Sequence, residues 1–368
     1  MSTIVSPEEQ RHICRAVVNR VAAAKGLTPP WPGTAGDLPE RLAEELDGAD
    51  LAAWGAPELG AVRERLASDE DRQTAGIWYT PPELAANIAR FALSITSYPS
   101  GYDAPGYTLR VLTLDPACGA GIFLIAAARD IATRYAAACT DTTPPPAWAV
   151  HTVMPTVLTE CVFGVDLDPV AVDLARAACW LETVGAADPA FMDDNIIVGD
   201  PLKDEIPKRL ADRLDTDPDP LTILGNPPYR ENAKGAAPWI EERRALDGEE
   251  LFPRPSLDEF RSPAVARMGG KLSNLATFFW RWAVWKALES RDYAGTVAFI
   301  SPSSYLNAPA YQGMREHLRR IAREIWIINL TPEGHQPPKE TRLFPDVRTP
   351  LAVGIVTSHS RPARAGTA

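Results

Sequence analysis

The chain has 368 residues, of which 45% are hydrophobic and 23% charged, as in globular proteins. It has no run of 18 apolar residues and no N-terminal signal-peptide core, so we expect a cytoplasmic protein that neither spans a membrane nor is secreted. The formal net charge of -11 argues against a predominantly basic nucleic-acid-binding surface, although net charge does not report local patches. The five cysteines and five histidines show no metal-ligand spacing, so we predict neither disulfides nor a metal site.

Residues 1–73 are predicted to form an accessory helical region. Ile13, Val17 and Val21 lie on one helical stripe, a Pro/Gly linker follows at 27–37, and the rest reads as one or two amphipathic helices. We find no catalytic constellation in it. We expect a catalytic domain over 74–358 and a tail over 359–368.

Thr80 and Pro81 mark the start of a predicted helix over 81–93, with Thr80 as the N-cap and Pro81 at the first helical position. An ordinary capped helix explains this pattern. A functional interpretation adds that Tyr79, Thr80 and Pro81 face a ligand at the helix start.

A predicted strand over 110–114 enters a turn with the sequence Asp-Pro-Ala-Cys-Gly-Ala-Gly at 115–121, and an Ala-rich helix is predicted after it over 125–138. A strand, a glycine turn and a helix form the nucleotide-binding arrangement of a doubly wound sheet. No lysine follows as in a phosphate loop, and Asp115 at the strand end suits a cationic or hydrogen-bond-donating ligand better than a phosphate. A simple tight turn stays open as an explanation.

Two further predicted strands end in acidic residues. The strand over 162–165 ends at Asp166, which occupies the ribose-hydroxyl position of nucleotide folds, while Asp168 fits the N-cap of the next helix. Leu167 suits either the face of an adenine or the core. The strand over 195–198 leads to Asp200, which suits either a hydrogen bond from an adenine amino group or an ordinary turn before Pro201. The Pro-rich segment 140–155, before the first of these strands, is predicted to be a loop.

The fourth predicted strand, over 221–224, leads into Gly225 and then Asn-Pro-Pro-Tyr at 226–229. Pro227 and Pro228 fix the backbone in an extended form. Asn226 offers a side-chain carbonyl, Pro227 a backbone carbonyl and Tyr229 a flat ring, which together suit the exocyclic amino group of a planar base. Because the carboxyl ends of parallel strands share one edge of a sheet, we expect these residues and the three aspartates to line one crevice.

The remaining chain contains a long charged segment over 230–271, an aromatic-rich helix over 274–288 and a helix over 311–324. The long segment is predicted to be a lid or a nucleic-acid-facing insertion. Three more strands are expected over 295–300, 326–330 and 351–356, with Phe344 in the loop before the last one.

Taken in chain order, these motifs resemble the S-adenosylmethionine-dependent DNA adenine-N6 methyltransferases of the gamma arrangement, found in restriction-modification and phage-defence systems. The resemblance covers roughly residues 74 to 357. It implies a Rossmann-like class I methyltransferase fold: an α/β fold whose mostly parallel seven-stranded sheet has its last strand antiparallel beside the fifth. Family members normally carry a target-recognition domain after the seventh strand, so we expect a separate recognition subunit or domain as a partner, besides double-stranded DNA.

The resemblance also implies roles for single residues. Tyr79, Thr80 and Pro81 would close the cofactor site, Asp115 would meet the cationic amino group of the methionine moiety, and Asp166 would bind the ribose. The other cofactor contacts implied are Ala117, Gly119, Gly121, Leu167 and Asp200. The implied catalytic residues, which hold and stack the target adenine, are Asn226, Pro227, Pro228, Tyr229 and Phe344.

Two acceptors on the N6 hydrogens of adenine would free the nitrogen lone pair for in-line attack on a sulfonium methyl, a reaction that depends on positioning. The base would be flipped out of the duplex. Two alternatives stay open. One is a protein-glutamine or RNA methyltransferase of the same fold, and the other is a cofactor-binding subunit that is inactive without its recognition partner.

Overall fold

The computed structural model describes residues 6–31, 38–67, 80–96, 110–241, 255–332, 334, 338, 342–344 and 347–358. The predictions made for Tyr79 and for the tail over 359–368 lie outside these ranges. Within them, no helix has the length and apolarity that crossing a membrane requires.

One seven-stranded sheet organises the chain. Its strands are β1 (Leu112–Asp115), β2 (Val162–Asp166), β3 (Ile196–Val198), β4 (Leu221–Gly225), β5 (Gly295–Pro302), β6 (Glu324–Asn329) and β7 (Leu351–Thr357). The order across the sheet is β3-β2-β1-β4-β5-β7-β6. The first five strands pair in parallel, and β7 is antiparallel to both β5 and β6. The predicted fold class, including the antiparallel last strand beside the fifth, is confirmed.

Helices precede and cover the sheet. They are α1 (Pro7–Ala24), α2 (Glu40–Asp47), α3 (Ala56–Leu66), α4 (Pro82–Ile95), α5 (Ile122–Thr140), α6 (Ala147–Cys161), α7 (Pro169–Glu182), α8 (Lys208–Thr216), α9 (Pro238–Glu241), α10 (Leu275–Val284), α11 (Ser304–Asn307) and α12 (Gln312–Ile321). Short 3₁₀ turns occupy Leu51–Ala53, Pro201–Lys203, Leu257–Phe260, Pro263–Leu272 and Pro309–Tyr311, and a π turn, Trp285–Glu289, follows α10.

The central strands β1, β4, β5 and β7 are buried on both faces, as their near-continuous apolar runs require, whereas the edge strand β6 is largely exposed. Along β5, Ala298 and Ile300 pack into one hydrophobic cluster and Val297 and Phe299 into the other, because successive side chains point to opposite faces. The first cluster is built from α4 to α7 together with α1 and α3. The second is built from α8, α10 and α12. The N-terminal helices therefore share a core with the helices that flank the glycine turn.

The segment 140–155, predicted to be a loop, instead leads into α6, which contains Pro155 and runs directly into β2. Met154, Val157, Leu158 and Cys161 are buried at helical spacing. An internal proline destabilises a helix by about 3 kcal/mol. We infer that the burial of these apolar side chains offsets this cost, so that α6 continues through Pro155. Tertiary packing outweighs the local signal here.

The start of α4 also differs from the prediction. The helix begins at Pro82, and Pro81 occupies the cap position without a side-chain cap hydrogen bond. Thr80 therefore lies one residue before the cap position. It is buried, and its hydroxyl accepts a hydrogen bond from a residue 146 positions later, as described below.

Candidate functional site

A cavity of about 430 Å³ lies where β1, β2 and β4 end. Its volume is within the range of small-molecule sites, which are mostly apolar with a few convergent polar groups. The predicted residues in its lining are Thr80, Asp115, Ala117, Gly119, Asp166, Leu167, Asp200, Asn226 and Pro228. Polar residues at or just after the ends of β1, β2, β3 and β4 therefore line one cavity.

Asp115 is the last residue of β1 and is only 1% exposed. Its Oδ1 accepts the N–H of Ala117 at 3.0 Å. Burial raises the pKa of Asp115 to about 8, and the nearby negative charge of Asp166 contributes to this increase. A carboxyl in this state gains most from a cationic partner, which would favour its ionised form.

The turn after β1 brings backbone N–H groups to the cavity. Gly119 has φ +52°, and its N–H donates to Asp166 Oδ2 at 2.9 Å. Gly121 has φ +89° and caps α5, and a Cβ there would lie 3.2 Å from the Cα of Ala175. The two glycines therefore permit a left-handed turn and close packing of α5 on α7.

Asp166 closes the far side of this turn. Its Oδ1 accepts the N–H of Asp168 at 2.9 Å. Burial raises the pKa of Asp166 to about 6, although the hydrogen bonds from Asp168 and Gly119 oppose the increase. Asp168 caps α7 by accepting the N–H of Val170 at 2.9 Å. Leu167 is 68% exposed, so it is available to cover a ligand face.

Asp200 borders the cavity beyond β3. One carboxylate oxygen accepts the N–H of Leu202 at 3.0 Å, and the other is 3.3 Å from the Lys203 ammonium. Each carboxylate oxygen has a second lone pair, so Asp200 can accept a further hydrogen bond from a ligand.

Asn226 faces the cavity directly after β4. Its Nδ2 donates to Thr80 Oγ1 at 3.3 Å, and its Oδ1 accepts a hydrogen bond from the Tyr229 hydroxyl. Burial raises the pKa of Tyr229 well above its usual value, so this hydroxyl keeps its proton. The side-chain amide is thus held in one orientation.

Gly225 explains how the ends of β4 and β1 approach each other. A Cβ at this position would lie 2.5 Å from Asp115 Oδ1 and 3.0 Å from its Cγ. Only glycine allows this approach, which brings Asn226 and Asp115 to the same cavity.

Several predicted site residues lie outside the lining that the described residues form: Pro81, Gly121, Pro227, Tyr229 and Phe344. Tyr229 packs partly buried against the core, and Phe344 is 2% exposed within it. The assigned roles of these residues remain predictions.

One wall of the cavity was not predicted from the sequence. Four residues of α3 line it: Ala56, Gly60, Arg63 and Glu64. Arg63 pairs with Asp168, Nε to Oδ2 at 2.8 Å. The available signal was an arginine on the apolar stripe of α3, between Leu59, Val62 and Leu66. Arg230, Ala236, Leu275 and Phe279 complete the cavity on the other side.

Among the described residues, Glu259, Glu289 and His317 form a group with metal-ligand spacing. The buried guanidinium of Arg281 pairs with both carboxylates, 2.6 Å from Glu289. The guanidinium of Arg281 therefore already supplies the positive charge that these two carboxylates need. The three residues do not line the cavity.

Similar solved structures share the fold. They include a cryoEM structure of a DrdV–DNA complex (16% identity, TM-score 0.61), the type ISP restriction-modification enzyme LlaBIII bound to DNA (16%, 0.58) and the type IIG restriction endonuclease BpuSI (11%, 0.53). Each match covers 96% of this chain, but it covers only 36%, 25% and 38%, respectively, of the other chain. This chain thus spans well under half the length of these neighbours. No curated protein matches it.

The family assignment comes from the sequence over residues 61–251, which match the N-6 DNA Methylase family. This stretch is more than half of the chain. It includes most of α3, the glycine turn, Asp166, Asp200 and the Asn226 segment. The resemblance identified from the motifs is confirmed, and the chain belongs to the N-6 DNA methylase family.

Proposed function

We propose that this protein transfers a methyl group from S-adenosylmethionine to the N6 amino group of adenine in DNA. One observation carries the proposal: Asn226 faces the same cavity as the buried carboxyl of Asp115 and the partly buried carboxyl of Asp166. A donor molecule and an acceptor amine that enter this cavity from opposite ends would meet beside Asn226.

The side chains that line the cavity fit S-adenosylmethionine. The buried Asp115 suits the cationic amino group of the methionine moiety, since that charge offsets the desolvation that now keeps the carboxyl protonated. Asp166 has lone pairs left for ribose hydroxyls, Leu167 is free to cover the adenine, and Asp200 can accept from its amino group. The bound cofactor would supply a methyl group activated by the adjacent sulfonium.

The target amine would be held by Asn226. Its Oδ1 already accepts one hydrogen bond from Tyr229, and its second lone pair is available to an N6 hydrogen. The Pro227 carbonyl is the proposed second acceptor. Drawing both hydrogens toward these oxygens would direct the nitrogen lone pair at the methyl group, which is positioning and electrostatic catalysis.

We further propose that Tyr229 and Phe344 stack on the extruded base. Because Phe344 is buried in the described conformation, this role requires the segment around it to rearrange when DNA binds. Double-stranded DNA is the proposed substrate, and a separate recognition domain or subunit is the proposed partner. The DrdV and LlaBIII structures that share the fold are complexes with DNA.

Methyl transfer from tritiated S-adenosylmethionine to unmethylated DNA tests the proposal, with RNA and a glutamine-containing protein as competing acceptors. We expect label in DNA at N6 of adenine. We expect Asn226→Ala to reduce transfer by about 100-fold or more, the cost of one lost transition-state hydrogen bond, and to bind S-adenosylhomocysteine within about twofold of wild type.

Asn87→Ala is the matched control, because Asn87 is exposed on α4, does not line the cavity, and accepts a hydrogen bond from Arg90 one turn later. Label in RNA or protein instead of DNA would support the first alternative function. Undiminished transfer by Asn226→Ala would refute the mechanism. Cofactor binding without transfer to any acceptor would support a subunit that depends on a partner.

A further inference from the structure

Arg63 of α3 is the least explained polar residue of the cavity. It is 9% exposed, and its Nε donates to Asp168 Oδ2 at 2.8 Å. Its Nη1 is buried and has no hydrogen-bond partner in the part of the chain that the structure describes. A buried N–H group without a partner is unfavourable and uncommon. Because Arg63 lines the cavity, a ligand bound there can supply the missing partner.

Arg63 is fixed next to the ribose-binding residue. Asp168, its ion-pair partner, also donates its backbone N–H to Asp166 Oδ1 at 2.9 Å. Burial is the main cause that raises the pKa of Asp166 to about 6, and the positive charge of Arg63 partly opposes it. A guanidinium donor and a carboxylate acceptor therefore border the same end of the cavity.

This pairing of groups is complementary to a hydroxyl, which donates one hydrogen bond and accepts others. A ribose hydroxyl that donates to Asp166 would offer its oxygen lone pairs to Nη1 of Arg63. An apolar or purely anionic ligand group would leave one of the two protein groups without a partner.

The N-terminal helices are held in place to support such a contact. Arg11 and Arg15 of α1 both pair with the buried Asp173 on α7, at 2.6 and 2.8 Å. Arg63 pairs with Asp168 at the start of the same helix. The position of Arg63 relative to α7 is thus set by three ion pairs and a shared hydrophobic core.

We propose that Arg63 donates a hydrogen bond to a ribose hydroxyl of the bound cofactor, so that the N-terminal helical region forms a wall of the cofactor site. This inference rests on the proposed function. The alternative is that Arg63 is purely structural and only holds α3 against the start of α7.

Isothermal titration calorimetry with S-adenosylhomocysteine and its 2′-deoxy and 3′-deoxy analogues distinguishes the two. We expect Arg63→Ala to raise the Kd of S-adenosylhomocysteine by about 10- to 100-fold, the range for losing a hydrogen bond from a charged group. The analogue that lacks the contacted hydroxyl should bind the wild type more weakly but lose nothing further in Arg63→Ala. Non-additivity of this kind marks a direct contact.

Arg65→Ala is the matched control, since it also removes an ion-paired arginine of α3, the partner being Glu45, but Arg65 does not line the cavity. Its Kd should stay within about twofold of wild type. Arg63→Lys keeps a cation beside Asp168 but has no second rigid donor, so it should retain the melting temperature and still lose the affinity. It serves as the test if Arg63→Ala does not fold.

An unchanged Kd in both Arg63 variants, or an equal loss for all three ligands, would overturn the inference. If the wild type itself fails to bind S-adenosylhomocysteine, the proposed function fails instead. The two failures are therefore distinguishable.

Discussion

The raised pKa of Asp115 predicts how cofactor affinity depends on pH. The ligand-free protein holds a proton on Asp115 up to about pH 8 because the carboxyl is buried. A cationic amino group favours the ionised carboxylate, so the proton must leave when the cofactor binds. Affinity should therefore fall as the pH falls below about 8.

The magnitude follows from the linkage relation, in which the apparent Kd scales as one plus ten to the power of pKa minus pH. With a pKa of about 8 for Asp115, this factor is about 100 at pH 6 and about 4 at pH 7.5. We expect the Kd of S-adenosylhomocysteine to decrease about 20-fold over this range, in which its amino group stays largely protonated.

The assay is calorimetric titration at each pH. Methylthioadenosine, which keeps the adenosine but lacks the amino group, is the control ligand. It should show at most about a twofold change, contributed by Asp166, whose pKa is raised by burial to about 6. Asp115→Asn should reduce the pH dependence for S-adenosylhomocysteine to the roughly twofold change that Asp166 contributes, and it should weaken binding at pH 7.5. A flat profile for the wild type, or an equally steep one for both ligands, would refute the assignment of Asp115.

Two further substitutions test how the site is built. Gly225→Ala should lower the free energy of unfolding, measured by urea denaturation, by about 1–3 kcal/mol, because its Cβ would lie 2.5 Å from Asp115 Oδ1. The control is Gly269→Ala, whose Cβ would meet nothing within 4 Å, and its free energy of unfolding should stay within about 0.5 kcal/mol of wild type. Equal losses in the two variants would contradict the close approach of Gly225 to Asp115. Arg230→Ala, at the exposed side of the cavity, should lower DNA affinity and reduce the slope of log K against log salt by about 1. Lys208→Ala, which removes a lysine paired with Asp212 on α8, should leave that slope unchanged.

The polar strand ends were predictable because the signals that place them are local. Each acidic residue or amide follows a short apolar run, and a general rule of parallel sheets brings such ends to one edge. Asp115, Asp166, Asp200 and Asn226 were therefore expected in one crevice before any coordinates, and all four line the cavity. The strands followed from the same patterns, whereas the antiparallel last strand was implied by the family resemblance alone.

Contacts between distant parts of the chain were decided only by the tertiary structure. Thr80 was assigned as a helix cap, yet it pairs with Asn226, 146 residues away. Arg63 lies 105 residues from Asp168, and only the folded chain brings the two side chains together. Pro155 predicted a loop, but burial of the surrounding apolar residues holds it in a helix. Local propensity and periodicity determine where strands and helices end, whereas which side chains meet across the core depends on packing that no short window of sequence contains.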